Sequence, residues 1–283
     1  MLQSIKVQLR IQRAIIYTVL IIGSAAMVLP YLWMIISSFK PIEEIQTYPP
    51  SFFIHHPTVK AYADLFRLIP MGRYLGNSIL VATLVTVSNV FFCSLAGYAF
   101  AKHRFWGRDK LFLLILGSMM IPWQINIIPG FVIVKKLGWL NSFYALIIPN
   151  MVGAFGVFLT RQHISTIPND LIDAAKIDGC GEFRIYRLVI FPLIKPVLVA
   201  LGIFMFLAQW NNFVWPLVII HSGDMRTVPL ALAVLNGQFG TDFGTNFPMV
   251  MAGAVLVTIP VLAVFLLFQK YFIRGITLTG LKF

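Results

Sequence analysis

The run Ser165-Thr166-Ile167-Pro168-Asn169-Asp170-Leu171-Ile172-Asp173-Ala174-Ala175-Lys176-Ile177-Asp178-Gly179, continuing to Pro192 and Pro196, is a polar interruption in a strongly apolar chain. Pro168 suits the first position of a helix, where a missing N–H costs nothing. Asp170 and Asp173 fall in the first two turns, where negative charge complements the helix dipole. Gly179 suits the left-handed position just past a helix end. These signals predict a short helix over 168–178. Its apolar members Leu171, Ala174, Ala175 and Ile177 stand close to helical spacing. A second helical run, 182–191, begins after the glycine and stops at Pro192, and Pro196 opens the next apolar stretch. The whole Asp173–Pro196 segment therefore reads as two short amphipathic helices joined at a glycine turn and tied to a longer helix. Ala174 and Ala175 leave a shallow surface on which a partner's groove could come close to the backbone. A helix resting on lipid headgroups is the other reading.

The rest of the chain sets the solvent. Hydrophobic residues are 59% of the 283 and charged residues 11%, against about 25% charged in a soluble domain; mean hydropathy is +0.85. So few charges cannot cover a water-facing surface, so the bilayer is the solvent for much of the molecule. Six stretches reach the roughly 20 apolar residues that a spanning helix needs: 14–37, 77–101, 111–134, 143–160, 196–220 and 247–271. The fold class predicted is an all-α, polytopic, six-span transmembrane bundle. Lys6, Arg10 and Arg13 ahead of the first stretch imitate a signal peptide, but the apolar run is too long for one.

Six spans place both termini on one side. Of the 22 Lys and Arg, only Lys40, Lys60, Arg67, Arg73, Lys135, Lys136 and Arg226 fall on the other, so the termini are expected in the cytoplasm. Residues 1–13 are then a cytoplasmic N-terminus, 14–271 the six-span domain and 272–283 a cytoplasmic tail. Residues 161–195 form the large inner loop, and 39–75 and 221–246 the outer loops. Loops of that length are usually functional or disordered.

Several function classes are excluded or disfavoured. The net charge of +12 lies in short runs between apolar stretches rather than in a basic stripe with interleaved aromatics, so nucleic acid is not an expected partner. Cys93 lies in an apolar run and Cys180 in a polar one, which argues against a disulfide or a metal site. The five histidines form no metal or catalytic motif. No G-x-x-x-x-G-K-[ST] segment occurs, so any ATP must be handled by another polypeptide. A proton- or sodium-coupled carrier would want intramembrane carboxylates or interrupted helices at matching positions in two halves, and neither is visible in the sequence. A catalytic role is not expected.

Polar groups at membrane depth are costly unless used. Gln209, Trp210, Asn211, Asn212 and Trp215, with Asn150 in the fourth span, are therefore candidate substrate contacts. Amides hydrogen-bond hydroxyls and indole faces pack on sugar C–H groups, so a neutral sugar fits them. The alternative is that they bridge helices. In the second outer loop, Gly237, Gly240 and Gly244 surround Gln238, Phe239, Thr241, Asp242 and Phe243.

Asp173-Ala174-Ala175-Lys176-Ile177-Asp178-Gly179, with Pro192 and Pro196, resembles the EAA loop of bacterial ABC importer permeases, whose usual form is E-A-A-x-x-D-G before a Pro-bounded helix. Further matches occur in order along the chain: Ser37-Ser38-Phe39-Lys40-Pro41, Asn77-Ser78, Ala96-Gly97-Tyr98-Ala99-Phe100-Ala101, Trp210-Asn211-Asn212-Phe213-Val214-Trp215-Pro216 and Gln269-Lys270-Tyr271-Phe272-Ile273-Arg274-Gly275. Together they are similar to sugar-importer permeases of the MalG type. The resemblance implies a bacterial or archaeal inner-membrane, multi-pass permease that binds no cofactor itself. Its implied partners are a second homologous permease, a dimer of ATP-binding subunits carrying ATP and magnesium, an extracytoplasmic solute-binding protein and a di- or oligosaccharide. Glycerol phosphate or a sugar-acid oligomer remains open as the cargo. Asp173, Ala174, Ala175, Asp178, Gly179, Pro192 and Pro196 would form the docking lever, and Lys282 of the tail would reach the ATPase. The loop around Gly237–Asp242 would probe the binding protein or act as a plain connector. Two departures from the pattern stand out: Asp173 replaces the usual Glu, and Phe283 replaces a final Gly.

Overall fold

The computed structural model describes residues 2–238 and 247–277, and every regular element among them is helical. In chain order these are α1 (Leu2–Ser38), α2 (Ile42–Ile45), α3 (Lys60–Leu68), α4 (Met71–Lys102), α5 (Arg108–Met119), α6 (Ile127–Lys136), α7 (Phe143–Ile147), α8 (Ala154–Ser165), α9 (Asp170–Ile177), α10 (Glu182–Ile185), α11 (Phe191–Leu193), α12 (Lys195–Trp210), α13 (Val214–Ile219), α14 (Val228–Gln238) and α15 (Phe247–Thr277). Four helical stretches are long and apolar enough to span a membrane, and two further bent pairs bring the number to six. The chain divides into two compact units, Met1–Ile69 with Leu232–Thr258, and Pro70–Ala231 with Ile259–Phe283.

In the first unit, Ser37-Ser38-Phe39-Lys40-Pro41 ends α1 and pins the loop that follows. Lys40 is 2% exposed; its ammonium pairs with Glu44 at 3.3 Å and donates to the Ser51 carbonyl. The Glu44 carboxylate also accepts the backbone N–H groups of His55 and His56. Burial pushes the Glu44 carboxyl up, but those N–H groups and Lys40 outweigh it and hold the group below the usual range. Ser38 Oγ and Tyr62 Oη stand 2.9 Å apart, tying α3 to the end of α1. The segment 39–75, expected as an outer loop, is therefore folded, not a plain loop.

In the second unit, α4 is the central element, flanked by α8 and α12. The α4–α8 crossing is close because glycine permits it. A Cβ on Gly156 would lie 2.7 Å from Cys93 Sγ and 2.9 Å from Asn89 Oδ1, and one on Gly97 would meet Thr160. Small residues at a helix crossing let backbones approach where lipid supplies no hydrophobic drive.

Three expected spans are not continuous helices. The third breaks at 120–122 and turns through 97° before a 3-10 turn, Trp123–Asn126. The fourth passes through non-helical 151–153. The fifth, expected over 196–220, stops at Trp210 and resumes at Val214. Pro122, Pro149 and Pro216 lie at or beside these interruptions, where the ring removes a donor. The stretches were read as plain spanning helices, and the structure corrects that for these three; the breaks lie in three consecutive spans rather than at the matching positions of two halves that an ion-coupled carrier would want. In the segment expected as the second outer loop, 221–246, residues 228–238 are the helix α14. Gly237 and Gln238 belong to the last turn of α14, while Phe239, Gly240 and Asp242, like Lys282 of the tail, lie outside the described residues.

The close crossing gives a test. Gly156→Ala is expected to cost about 1–3 kcal/mol through overpacking. Gly76→Ala, at a helix position with no atom within 4 Å of the added Cβ, is expected to be neutral or stabilising by up to about 1 kcal/mol. Thermal unfolding of the purified variants separates the two.

Candidate functional site

The 165–194 segment is built by local rules and then clamped from outside. α9 starts at Asp170, two residues later than the sequence suggests, with the Asn169 carbonyl accepting from Ile172 and Asp173. Its C-terminus is a full Schellman motif. Gly179 has φ +78°, the Cys180 N–H donates to the Ala175 carbonyl at 2.9 Å, and the Gly179 N–H donates to the Lys176 carbonyl at 3.0 Å. Cys180 packs with the cluster that holds Ala175, so its role is to close this turn.

After the turn the helix does not stop at Pro192. It runs from Glu182 through a π-helical stretch, Tyr186–Ile190, to Leu193, and then bends by 80° into α12. Pro192 sits where the wider π turn has already given up regular bonding. Pro196 occupies the first turn of α12, as expected.

The inward faces form one buried cluster: Ile172 and Ala175 of α9, Ile185, Tyr186, Ile190 and Ile194 of the second run, and Tyr98, Ile164 and Leu198 of the long helices. This divides the alanine pair. Ala175 is 8% exposed and faces inward, so it contributes no shallow outer surface, while Ala174 is exposed. The outward face instead presents Leu171, Ala174 and Ile177, the last 87% exposed, with the acids Asp170, Asp173 and Asp178 around them. Phe183 adds a further exposed ring at 61%.

Three sets of contacts that the sequence did not single out hold the segment against the end of α4. The Glu182 carboxylate accepts from the Tyr98 hydroxyl at 2.9 Å and lies 3.4 Å from His103 Nε2 and 3.5 Å from Lys176 Nζ. Burial raises its pKa, but Tyr98, His103 and Lys176 together hold the carboxyl below the usual carboxylate range. Lys102 caps the start of the segment, donating to the Ile167 carbonyl and the Asn169 side chain. The hydroxyls of Ser94 and Tyr186 meet at 2.7 Å in the buried interior. No sequence signal marks Glu182 beyond its place after Gly181, because its partners on α4 are some 80 residues earlier.

The second constellation lies at the helix breaks. A pocket of about 310 Å³ is lined by Trp123 and Asn126 from the first break, Pro149 and Asn150 from the second, and Asn212 and Trp215 from the third. It falls at the lower end of the usual ligand-pocket range of about 300–1,000 Å³. Trp215 donates its indole N–H to the Ala145 carbonyl at 2.9 Å, which fixes the ring as a wall. The structure thus brings together Asn150, Asn212 and Trp215 among the sequence candidates and adds Trp123 and Asn126. It does not bring in the others. Trp210 is buried and stacked on Phe206, Gln209 reaches the pocket only through its contact with Asn212, and Asn211 bonds back to the Leu207 carbonyl.

Behind the pocket, α4 supplies the partners that the broken fourth span lacks. Asn89, 1% exposed, donates to the Asn150 carbonyl at 3.4 Å. Cys93 Sγ accepts the Gly153 N–H, and its thiol proton reaches Asn89 Oδ1 or the Gly153 carbonyl. Cys93 is a polar partner here rather than a plain apolar filler. Among the described residues no group of three or more His, Cys, Asp or Glu stands where it could hold a metal ion.

A helical chain with multiple membrane-spanning helices, a clamped helix–glycine–helix segment at one end and a pocket at its breaks matches a known family. Residues 89–278 match the model of the "Binding-protein-dependent transport system inner membrane component". The chain belongs to that family. The permease is 37% identical over 258 residues to the arabinooligosaccharides transport system permease protein AraQ of Halalkalibacterium halodurans, covering 90% of this chain and 91% of the relative. It is 34% identical over 273 residues to the trehalose/maltose transport system permease protein MalG of Thermococcus litoralis, with 93% and 96% covered. The lactose transport system permease protein LacG of Rhizobium radiobacter is 30% identical over 263 residues, with 92% and 93% covered. Its fold matches a chain of a bacterial ABC transporter involved in the import of the acidic polysaccharide alginate, with TM-score 0.81 at 23% identity, over 93% and 97% of the two chains. The fold is therefore that of a type I ABC importer permease, and the protein is a multi-pass transport component rather than an enzyme.

The Glu182 tie has a defined pH dependence. Its pKa is lowered on folding, so its contribution is present above the unfolded carboxylate value of about 4.3 and is lost only as pH falls through the lower folded value. Glu182→Gln is expected to loosen the segment at neutral pH, read as faster amide hydrogen exchange over 170–190, and to abolish the acid-dependent loosening that the unaltered protein shows.

Proposed function

We propose that this permease forms half of the translocation pathway of an ATP-driven, binding-protein-dependent importer of di- or oligosaccharides. The observation that carries the reading is the outward face of α9: a rigid, glycine-terminated helix, fixed to the long helices on one side and presenting Leu171, Ala174 and Ile177 without a partner on the other. A face of that kind fits a cleft in an ATP-binding subunit. Closure of an ATPase dimer on ATP and magnesium would move the cleft, and α9 with the 182–193 run would carry the displacement into α12 at Pro196 and into α4 through Glu182. Binding of ATP and of a loaded extracytoplasmic binding protein must each favour one of two states for transport to be driven. The distribution of Lys and Arg supports cytoplasmic termini and a cytoplasmic α9.

The pathway also needs a second, related permease. In this reading the pocket at the helix breaks meets the sugar, with Trp123 and Trp215 offering aromatic faces and Asn126, Asn150 and Asn212 offering amides. A pocket lining without Lys or Arg favours a neutral oligosaccharide over glycerol phosphate, in keeping with the arabinooligosaccharide relative, which is matched over nine-tenths of both chains.

Two experiments on the assembled importer test the reading. Ala174→Glu places a charge on the exposed face and is expected to leave the fold intact while abolishing ATP-dependent uptake in proteoliposomes. Gly179→Pro cannot adopt φ +78° and loses the N–H bonded to Lys176, and it is expected to uncouple hydrolysis from uptake. Uptake and coupled hydrolysis surviving both changes would refute the coupling role. Separately, Trp215→Ala and Asn212→Ala are each expected to raise the half-saturating sugar concentration for uptake about three- to tenfold, and Asn211→Ala, outside the pocket, to leave it unchanged.

A further inference from the structure

The turn between α4 and α5 is His103-Arg104-Phe105-Trp106-Gly107, with Arg108, Asp109 and Lys110 opening α5; His103 pairs with Glu182 of the coupling segment, and the residues after it line neither that segment nor the pocket. Its charges sort clearly. Arg108 is spent on Asp109 and on the His103 carbonyl. Arg161 lies 3.6 Å over the Phe112 ring and within 3.9 Å of Asp109. Lys102 is held by Ile167 and Asn169. Among the described residues that leaves Arg104 and Lys110 as exposed cations with no acid within ion-pair distance, and Trp106 between them is 98% exposed.

What adjoins this pair is apolar. α5 runs on from Lys110 with Leu111, Leu113 and Leu114 at 47%, 68% and 70% exposed, while Phe112 and Ile115 turn inward. The open hollow lined by 104–111 measures about 700 Å³. Two unpaired cations, an indole at the level where aromatic rings favour the membrane interface, and a leucine face directly above them complement an amphipathic anion: phosphate at the cations, acyl chains along Leu111 and Leu114. A soluble protein surface would match the cations but would leave the leucines, which lie on a membrane-spanning helix, uncovered.

We propose that the α4–α5 turn is a binding site for an anionic phospholipid, with Arg104 and Lys110 on the headgroup phosphate, Trp106 at the glycerol level and Leu111 and Leu114 against the chains. The inference requires only that α4 and α5 lie in the bilayer, and it is independent of the coupling role assigned to α9. Each juxtamembrane cation strengthens attachment to anionic lipid, so the pair should give roughly a tenfold preference over a zwitterionic lipid at low salt, weakening as salt is added.

The test uses the assembled importer in nanodiscs of phosphatidylcholine doped with phosphatidylglycerol, one of the two lipids carrying brominated chains in each preparation. The Trp106 signal is taken as the difference from Trp106→Phe. Brominated phosphatidylglycerol is expected to quench Trp106 well beyond its share of the lipid, and brominated phosphatidylcholine below it. Arg104→Gln with Lys110→Gln should bring both to the bulk ratio. Native mass spectrometry should show phosphatidylglycerol retained by the unaltered complex and lost from the double variant. Equal quenching by the two lipids, or a preference that survives the double substitution, would overturn the proposal. So would displacement of the lipid signal by inorganic phosphate, which would make this a simple anion site, or protection of Trp106 by the ATP-binding subunits in lipid-free detergent, which would make it a protein contact.

Discussion

Inside hydrocarbon a backbone N–H or C=O without a partner costs several kcal/mol, which is why spans are normally unbroken helices. This permease leaves regular helix in three successive spans, and the rest of its membrane architecture follows from how the exposed groups are satisfied. At 151–153 the partners come from α4: the Asn89 amide on the Asn150 carbonyl and the Cys93 sulfur on Gly153. At 120–126 the chain tightens into 3-10 turns, with the Met120 N–H on Gly117 and the Ile125 N–H on Pro122. At 211–213 the Asn211 side chain and N–H both return to the Leu207 carbonyl. Irregular backbone at membrane depth survives only where protein or a cavity surrounds it, and here the three breaks surround one cavity.

The partners of the middle break dictate the crossing of α4 and α8. For Asn89 and Cys93 to reach the 150–153 backbone, the two helices must lie nearly in contact, and Gly156 and Gly97 are the residues that let them. Thr160 seals the same seam, donating to its own helix and to the Cys93 carbonyl at 2.8 Å. Asn89 lies roughly 20 Å along α4 from Lys102, well within a hydrocarbon layer of about 30 Å. One helix therefore carries both the back wall of the pocket and, at its far end, the Tyr98 and His103 contacts that hold Glu182.

Part of this was legible from sequence and part was not, and the division follows the range of the forces involved. Helix punctuation is local, so Pro168, the early acids and Gly179 marked α9 to within two residues, and φ +78° with the paired Schellman bonds is the geometry that Gly179 implied. Apolar length is also local, so the six stretches were found. The breaks were missed because Pro122 and Pro149 sit in runs that remain apolar, and what tolerates the 151–153 break is Cys93 and Asn89, some 60 residues away. The phase of α9 was missed for a different reason: two adjacent alanines carry no polarity to show which faces inward, and only the position of Ile172 against Ile185 and Ile190 decides it. Trp210 illustrates the opposite error. Its neighbours Asn211 and Asn212 made it look like a pocket residue, yet stacking on Phe206 turns it into the core.

The geometry also argues about how a displacement at α9 would spread. If α9 were joined to the membrane domain only through Leu193 and the 80° bend, a sideways force would be absorbed at Ile194, where helical bonding changes direction. The buried contacts of Ile172, Ala175, Ile185 and Ile190 against Tyr98 and Ile164, with the Glu182 and Lys102 ties, distribute the same force over α4 and α8 as well. Packed interiors are stiff, so such a cluster shifts as a body rather than yielding residue by residue. α4 meets α8 at a seam with no spare volume beside Gly156, and α8 begins just after the break that follows Asn150, a residue of the pocket wall. A lever set on α4 and α8 thus has a direct mechanical route to the pocket wall, one that α12 alone would not supply.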